Sequence, residues 1–354
     1  MYLKMSNFDI ESYINALPND ITLIYIPIYK DINYLPKIHT FKNLLELTCC
    51  SIGLNSLPTL PENLKILDCY HNNLTSLPNL PENLVELNCS HNNLTSLPNL
   101  PENLKKLHCY NNNLTSLTNL PKNLVELNCC HNKLTSISTL SENLIRLYCY
   151  HNNLTSLPNL PENLLELDCC YNEITSLPTL PENMEILYCY KNNLTSIPKL
   201  PKNLIELDCS HNSIISLPNF PENFKILYCY HNNLTSLTNL PENIEILYCY
   251  HNNLNYLPNL PEKLQKIYSF DNPLYEIIDN YNNYNNNNLT IFKQQIKILN
   301  KFRYLYFCLK FKNQFRKWLW EKVRERKIMI KYHPIYLIKN LYEDSDLDTI
   351  LNNW

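Results

Sequence analysis

A period of twenty residues governs this chain from Leu60 to Leu260, and no other feature limits its fold so sharply. One unit reads LPENLKILDCYHNNLTSLPN. Written from Leu64 the pattern is L-x-x-L-x-C-x-x-N-x-L-x-x-L-P, and twelve units begin at Leu44 and every twentieth residue through Leu264. A unit this short cannot bury its own apolar residues, so neighbouring units must stack and share one continuous core. Leu67 and Cys69 stand two apart and face inward from a short strand, which turns Ile66, Asp68 and Tyr70 outward. Leu64, Leu74, Leu77 and Leu80 fill the remaining core positions. Pro78 and Pro81 lack a backbone donor and favour extended backbone on the far side of the coil, so no helix is expected within the units.

Two columns repeat with this period. Asn72 recurs eleven times, through Asn272. Its amide carries both donors and an acceptor, and a stack of such amides can satisfy the backbone of successive buried turns. Cys49 recurs eleven times, through Cys249. Strand spacing of about 4.8 Å brings successive rungs within disulfide reach, but parallel side chains point the same way, and a free cysteine packs as a small hydrophobe. Core packing is the expectation, without a metal or other cofactor. Cys50, Cys130 and Cys170 follow the inward cysteine and are expected on the strand surface.

This pattern strongly resembles the leucine-rich repeat, in the short form found in bacterial effector proteins, over residues 41–274. The resemblance implies a mainly β repeat solenoid: a curved array with short parallel strands on its concave face and an extended convex side. Residues 1–40 are expected to cap the first unit, with Ile21, Ile24 and Ile26 imitating part of a repeat. Residues 275–288 read as an Asn-rich linker and 289–354 as a small, basic helical region.

The outward columns carry the functional expectation. The position after each inward cysteine alternates large and small: Tyr70, Ser90, Tyr110, Cys130, Tyr150, Cys170, Tyr190, Ser210, Tyr230. Duplication of a two-repeat unit accounts for this without selection for binding. Tyrosine density nevertheless rises toward the C-terminal half, and tyrosine favours protein interfaces. The candidate surface is Tyr148, Tyr150, Tyr188, Tyr190, Tyr228, Tyr230, Tyr248 and Tyr250. A histidine row at the strand exits includes His131, His151, His211 and His231. Its regular spacing does not supply the three or four tetrahedral ligands of a zinc site.

Charge separates the two parts of the chain. Residues 41–270 hold 13 Lys/Arg against 20 Asp/Glu, and residues 271–354 hold 14 against 9. In the basic region Leu305, Cys308, Leu309, Leu319 and Val323 form an apolar stripe, broadened by Phe311, Phe315 and Trp318. Arg303, Lys310, Lys317 and Arg324 recur on the opposite side every seventh residue. Such a face leaves open an anionic membrane, RNA or an acidic partner, beside the simpler use as a C-terminal cap with a solvated side. Ser345 is placed to cap a short final helix. The tail from Phe302 to Trp354 is similar to that of uncharacterised repeat proteins of giant viruses that infect amoebae, a resemblance that implies lineage rather than activity.

The expected function is a non-enzymatic protein-interaction scaffold, binding an unidentified protein, in a host cell if the chain is viral. No signal peptide or membrane-spanning segment is read, so an intracellular setting is expected. Some effectors with similar repeats carry a C-terminal ubiquitin ligase with a catalytic cysteine. Here only Cys308 lies beyond the repeats, the Cys-x-Asp pattern is missing, and the region is too short for that domain. Neither the partner's identity nor the oligomeric state is set by the sequence.

Overall fold

The computed structural model describes residues 8–28, 32–237, 240–276, 286–319 and 321, and the chain divides into two compact units, Met1–Lys293 and Gln294–Trp354. The first unit opens with helix α1 (Ile10–Asn15), capped by the Asp9 carboxylate accepting from the Glu11 N–H. Thirteen three-residue strands follow in one parallel sheet whose spatial order is the sequence order. They are β1 (Leu23–Tyr25), β2 (Glu46–Thr48), β3 (Ile66–Asp68), and so on at twenty-residue steps to β13 (Lys266–Tyr268). Thus β8 is Glu166–Asp168, β9 Ile186–Tyr188, β10 Glu206–Asp208 and β11 Ile226–Tyr228. From β2 onward each residue pairs with the one twenty positions on, as Asp168 does with Tyr188. The thirteen strands therefore form a β-solenoid, and β1 adds one rung before the first clear repeat, with Ile24 and Ile26 buried and Ile21 only partly so.

The middle residue of every strand is buried, from Ile24 to Ile267. Leucines of the 64, 67 and 74 columns are fully buried, with Met184, Phe224 and Ile244 standing in for leucine in the first of these. Each such side chain contributes about 2 kcal/mol by leaving water. The Leu80 column is weaker than expected: Leu60, Leu140 and Leu200 are buried, whereas Leu80, Leu100, Leu160 and Leu180 are half-buried. No helix interrupts the described part of the repeats.

The Asn72 column holds the turns together. Asn72 donates through Nδ2 to the carbonyls of Cys49 (2.8 Å) and Cys69 (3.0 Å), and its Oδ1 accepts from the Leu54 N–H at 3.0 Å. Each amide therefore ties its own turn to the one before it, and the pattern continues to Asn272. A second asparagine column, which sequence reasoning missed, does the same at the other end of the strands. Asn63 Nδ2 donates to the Lys42 carbonyl (2.8 Å), and Asn103, Asn123 and Asn163 make the same bond to residues twenty-one positions back at 2.9 Å. Where serine replaces the proline that opens a unit, at Ser141, its hydroxyl donates to the Lys122 carbonyl.

Beyond the last strand come a 3-10 turn (Pro273–Glu276), α2 (Asn286–Lys310) and α3 (Lys312–Leu319). Helix α2 thus begins inside the Asn-rich stretch read as linker. Lys293, near its start, donates to the carbonyls of Glu262 and Leu264, both at 2.9 Å, so an ammonium satisfies backbone acceptors at the end of the solenoid. Among the described side chains of α2 the buried ones are Leu289, Phe292 and Ile296, three and four residues apart along one face. Leu305 and Phe311, expected in the apolar stripe, are instead exposed. Val323, Arg324 and the helix expected after Ser345 lie outside the described residues. Among the described residues no helix is long and apolar enough to cross a membrane.

Candidate functional site

Because strands alternate sides, positions 66, 68 and 70 and their twenty-residue repeats form three columns on the face of the sheet. All eight candidate tyrosines stand in the second and third of these columns, and all are half-buried. In the third column the small residues between them are covered: Ser90, Cys130, Cys170 and Ser210 are fully buried. This corrects the expectation that Cys130 and Cys170 lie on the surface. They point away from the core, as the alternation requires, but flanking tyrosines close over them. Tyr70 and Tyr110 approach to 6.4 Å between ring centroids across the intervening Ser90. The alternation of large and small is therefore a packing arrangement, in which each small side chain makes room for two rings. It ends at Tyr230, Tyr250 and Phe270, which stack at 4.5 and 4.6 Å.

In the second column Tyr228, Tyr248 and Tyr268 meet edge to face at 5.0 and 4.7 Å. Two tyrosines earlier in that column are tied to carboxylates of the first. The Tyr148 hydroxyl donates to Glu166 and that of Tyr188 to Glu206, each at 2.9 Å. Burial, reinforced by these glutamates, holds both phenols above the usual tyrosine range. Burial also raises Asp168, and it pushes Asp208 up to about 6 despite the bonds it accepts from Ser210.

A raised folded-state pKa means that the folded chain holds this proton more tightly than the unfolded chain does. The contribution of Asp208 therefore favours folding as pH falls from about 6 toward 4 and opposes it at neutral pH. Asp208→Asn is expected to raise unfolding stability at pH 7.5 by roughly 2 kcal/mol and to lose that gain near pH 4. Denaturant titrations at the two pH values check this, and an equal gain at both would contradict it.

The histidine row has a backbone cause. His71, His91, His131, His151, His211, His231 and His251 all have φ between 50° and 56°, as do Ser51, Asn111, Tyr171, Lys191 and Asp271 in the same column. Every turn of the coil needs a left-handed residue here, in a chain with one glycine. Histidine, asparagine and aspartate enter that region more readily than most side chains. The rings then stack along the row: His131 on His151 at 4.3 Å, His151 on Tyr171 at 3.9 Å, His231 on His251 at 4.2 Å. Desolvation first, and the neighbouring rings second, lower the pKa of His151, His211 and His231. Among the described residues no group of three or more His, Cys, Asp or Glu is arranged to hold a metal ion.

Shallow recesses flank the strands. One of about 600 Å³ runs along the histidine row and includes His131, His151, Tyr171 and Lys191. Another of about 590 Å³ lies at the strand entrances beside Val125, Ile145 and Leu165. The eight candidate tyrosines line neither. In the basic region Arg303 and Lys310 are exposed on α2, and Lys317 is exposed on α3, 3.9 Å from Glu321. The break between the helices means that the seven-residue row does not lie along one continuous helix.

Several solved structures share this architecture. YopM from Yersinia enterocolitica WA-314 matches with a TM-score of 0.65 and 35% identity, over 72% of this chain and 61% of that one. The leucine-rich effector protein YopM from Yersinia pestis matches at 0.58 and 30% identity, over 68% of this chain and 75% of that one. The functional domain of InlJ from Listeria monocytogenes, which includes a cysteine ladder, matches at 0.58 and 24% identity over 67% and 56%, a likeness of fold. The chain thus spans 61% of the length of the first of these structures. No family model matches the chain, and no curated protein matches it.

Proposed function

Since the chain belongs to the leucine-rich-repeat proteins, we propose that it is a non-enzymatic protein-interaction scaffold that recognises its partner with the sheet face around Tyr148, Tyr188, Tyr228 and Tyr248. The observation that carries this reading is the clustering of half-buried tyrosines there, already ordered by stacking and by hydrogen bonds to Glu166 and Glu206. Ordered aromatic side chains lose little entropy on binding and offer a large amphipathic contact. Two structures at 30% identity or more are YopM chains, one of them described as an effector protein, and that description supports an interaction role. If the chain is viral, as the resemblance of its tail implies, a protein of the infected cell is the first partner class to test.

The test is capture of partners by the full chain, comparing wild type with a Tyr188→Ala/Tyr228→Ala variant. Loss of the partner by at least about tenfold, with the fold retained by circular dichroism, is the expected result. Equal capture would move recognition elsewhere. The second reading, in which the basic region binds nucleic acid or an anionic membrane, rests on the exposed Arg303, Lys310 and Lys317. It predicts binding that weakens steeply with salt and ignores the tyrosines.

A further inference from the structure

The tyrosine face changes its electrostatic character along the sheet. In its first column the earlier strands alternate acid and base: Glu86, Lys106, Glu126, Arg146, Glu166. Those cations are used within the sheet. Lys106 Nζ lies 2.9 Å from Glu86, and Arg146 lies 3.6 Å from Glu126 and 3.8 Å from Glu166. On β9 and β11 isoleucine takes the place of the base, at Ile186 and Ile226, and a base returns to this column only at Lys266 on β13. Glu206 therefore stands between two isoleucines, and its hydrogen-bond partner is the Tyr188 hydroxyl. Asp168 and Asp208, in the adjoining column, accept only from their own turns: Asp168 from the Cys170 N–H, and Asp208 from the Ser210 N–H and hydroxyl. None of the ion pairs among the described residues reaches Asp168, Glu206 or Asp208.

On β8 to β11 the face thus presents four carboxylates, from Glu166, Asp168, Glu206 and Asp208, with no lysine or arginine in its three columns. Tyrosine rings stand between and beside them. The same tyrosine column already takes a cation from this chain: Lys266 Nζ lies 5.2 Å from the Tyr248 ring centroid and 5.4 Å from that of Tyr268. Partly desolvated carboxylates beside electron-rich rings form a setting that a lysine or arginine side chain complements on both counts. Lys106 and Arg146 fill the equivalent place earlier in the sheet with the chain's own cations.

We propose that the sheet face from β8 to β11 binds a basic polypeptide segment, laid extended across the strands, with two Lys or Arg side chains three residues apart. One side chain meets Glu166 and Asp168, and the other meets Glu206 and Asp208, with Tyr188 between them. The spacing follows from geometry. Strands β8 and β10 are two steps of about 4.8 Å apart, roughly 10 Å, and three residues of polyproline-II backbone, at about 3.1 Å each, cover about the same distance and bring the side chain back to the same side. This inference rests on the reading that the sheet face is the recognition surface, and it names the chemistry of the partner.

The test uses the full chain and a fluorescent peptide with two arginines three residues apart in a Gly/Ser background, followed by anisotropy at low salt. Binding to wild type is expected, weakened by roughly tenfold in a Glu206→Gln/Asp208→Asn variant and unchanged in Glu46→Gln at the far end of the sheet. The substitutions are nearly isosteric, and circular dichroism confirms that each variant is folded. Absence of binding, equal binding to the double variant, or equal binding of a peptide with glutamates in place of the arginines would each overturn the proposal. If the arginine peptide fails while partner capture still requires Tyr188 and Tyr228, the basic-segment inference falls and the sheet-face reading stands. If capture ignores the tyrosines as well, both fall.

Discussion

Replacing Asn152 with alanine is expected to lower unfolding stability by about 3 kcal/mol or more. The Asn152 amide donates to the carbonyls of Cys129 and Cys149, both at 3.1 Å, and accepts from the Leu134 N–H at 3.0 Å. Alanine removes every one of these partners, and each buried backbone group left unsatisfied costs about 1–3 kcal/mol. Water cannot readily replace the amide at a side chain that is only 9% exposed. The site also lies near the middle of the array. A solenoid is held together through contacts between neighbouring turns, so weakening one central junction uncouples the two halves. A guanidinium titration followed by circular dichroism should therefore show both a lower midpoint and a broader transition. The adjacent, exposed Asn153 serves as control, and its change to alanine should shift stability by less than about 0.5 kcal/mol. Equal effects at the two positions would contradict the ladder.

The second large effect concerns the cysteine column. The fourteen cysteines from Cys49 to Cys249 are free thiols, and the eleven of the inward column are fully buried. Burial pushes Cys89 and Cys129 up to about 12 from a usual value of 9.0, and the rest of the column is raised in the same direction. The thiols of Cys129 and Cys169 instead donate weakly to the carbonyls of Tyr148 and Tyr188 on the next strand, both at 3.5 Å. Since the thiolate is the reactive form, a shift from 9 to about 12 alone slows alkylation at pH 8 by about a thousandfold, before access is counted. Iodoacetamide should leave the column unmodified in the native chain and modify it throughout in guanidinium, as mapped by mass spectrometry of the cysteine peptides. Rapid native labelling at Cys129 or Cys169 would show that the column is open to solvent rather than packed as core.

The twenty-residue period made the sheet, the inward leucines and cysteines and the Asn72 column legible, because strand alternation and amide chemistry together assign each of those positions one role. The Asn63 column escaped notice because its acceptor lies twenty-one residues back, on the previous turn, and nothing local marks the bond. Alternation also states which way Cys130 and Cys170 point but not what covers them; their burial depends on rings from the two adjacent strands. The left-handed turns at the histidine row were hidden because their usual marker, glycine, is replaced by histidine and asparagine. In α2 the apolar residues are dense enough to suggest a stripe through Leu305, yet among the described side chains Leu305 is exposed and the buried ones are Leu289, Phe292 and Ile296. The candidate tyrosines were named from density alone. Their hydrogen bonds to Glu166 and Glu206 depend on register between strands, which the period implies but side-chain reach decides.

The central claim is that recognition lies on the sheet face, and site-specific photo-crosslinking tests it most directly. A photoreactive residue is placed in the full chain at Tyr228, at the exposed Thr155 in the coil beyond the strands, or at Arg303 on α2. The account predicts an adduct with the captured partner from position 228 and none from 155 or 303. Adducts from 155 or 303, with none from 228, would contradict it.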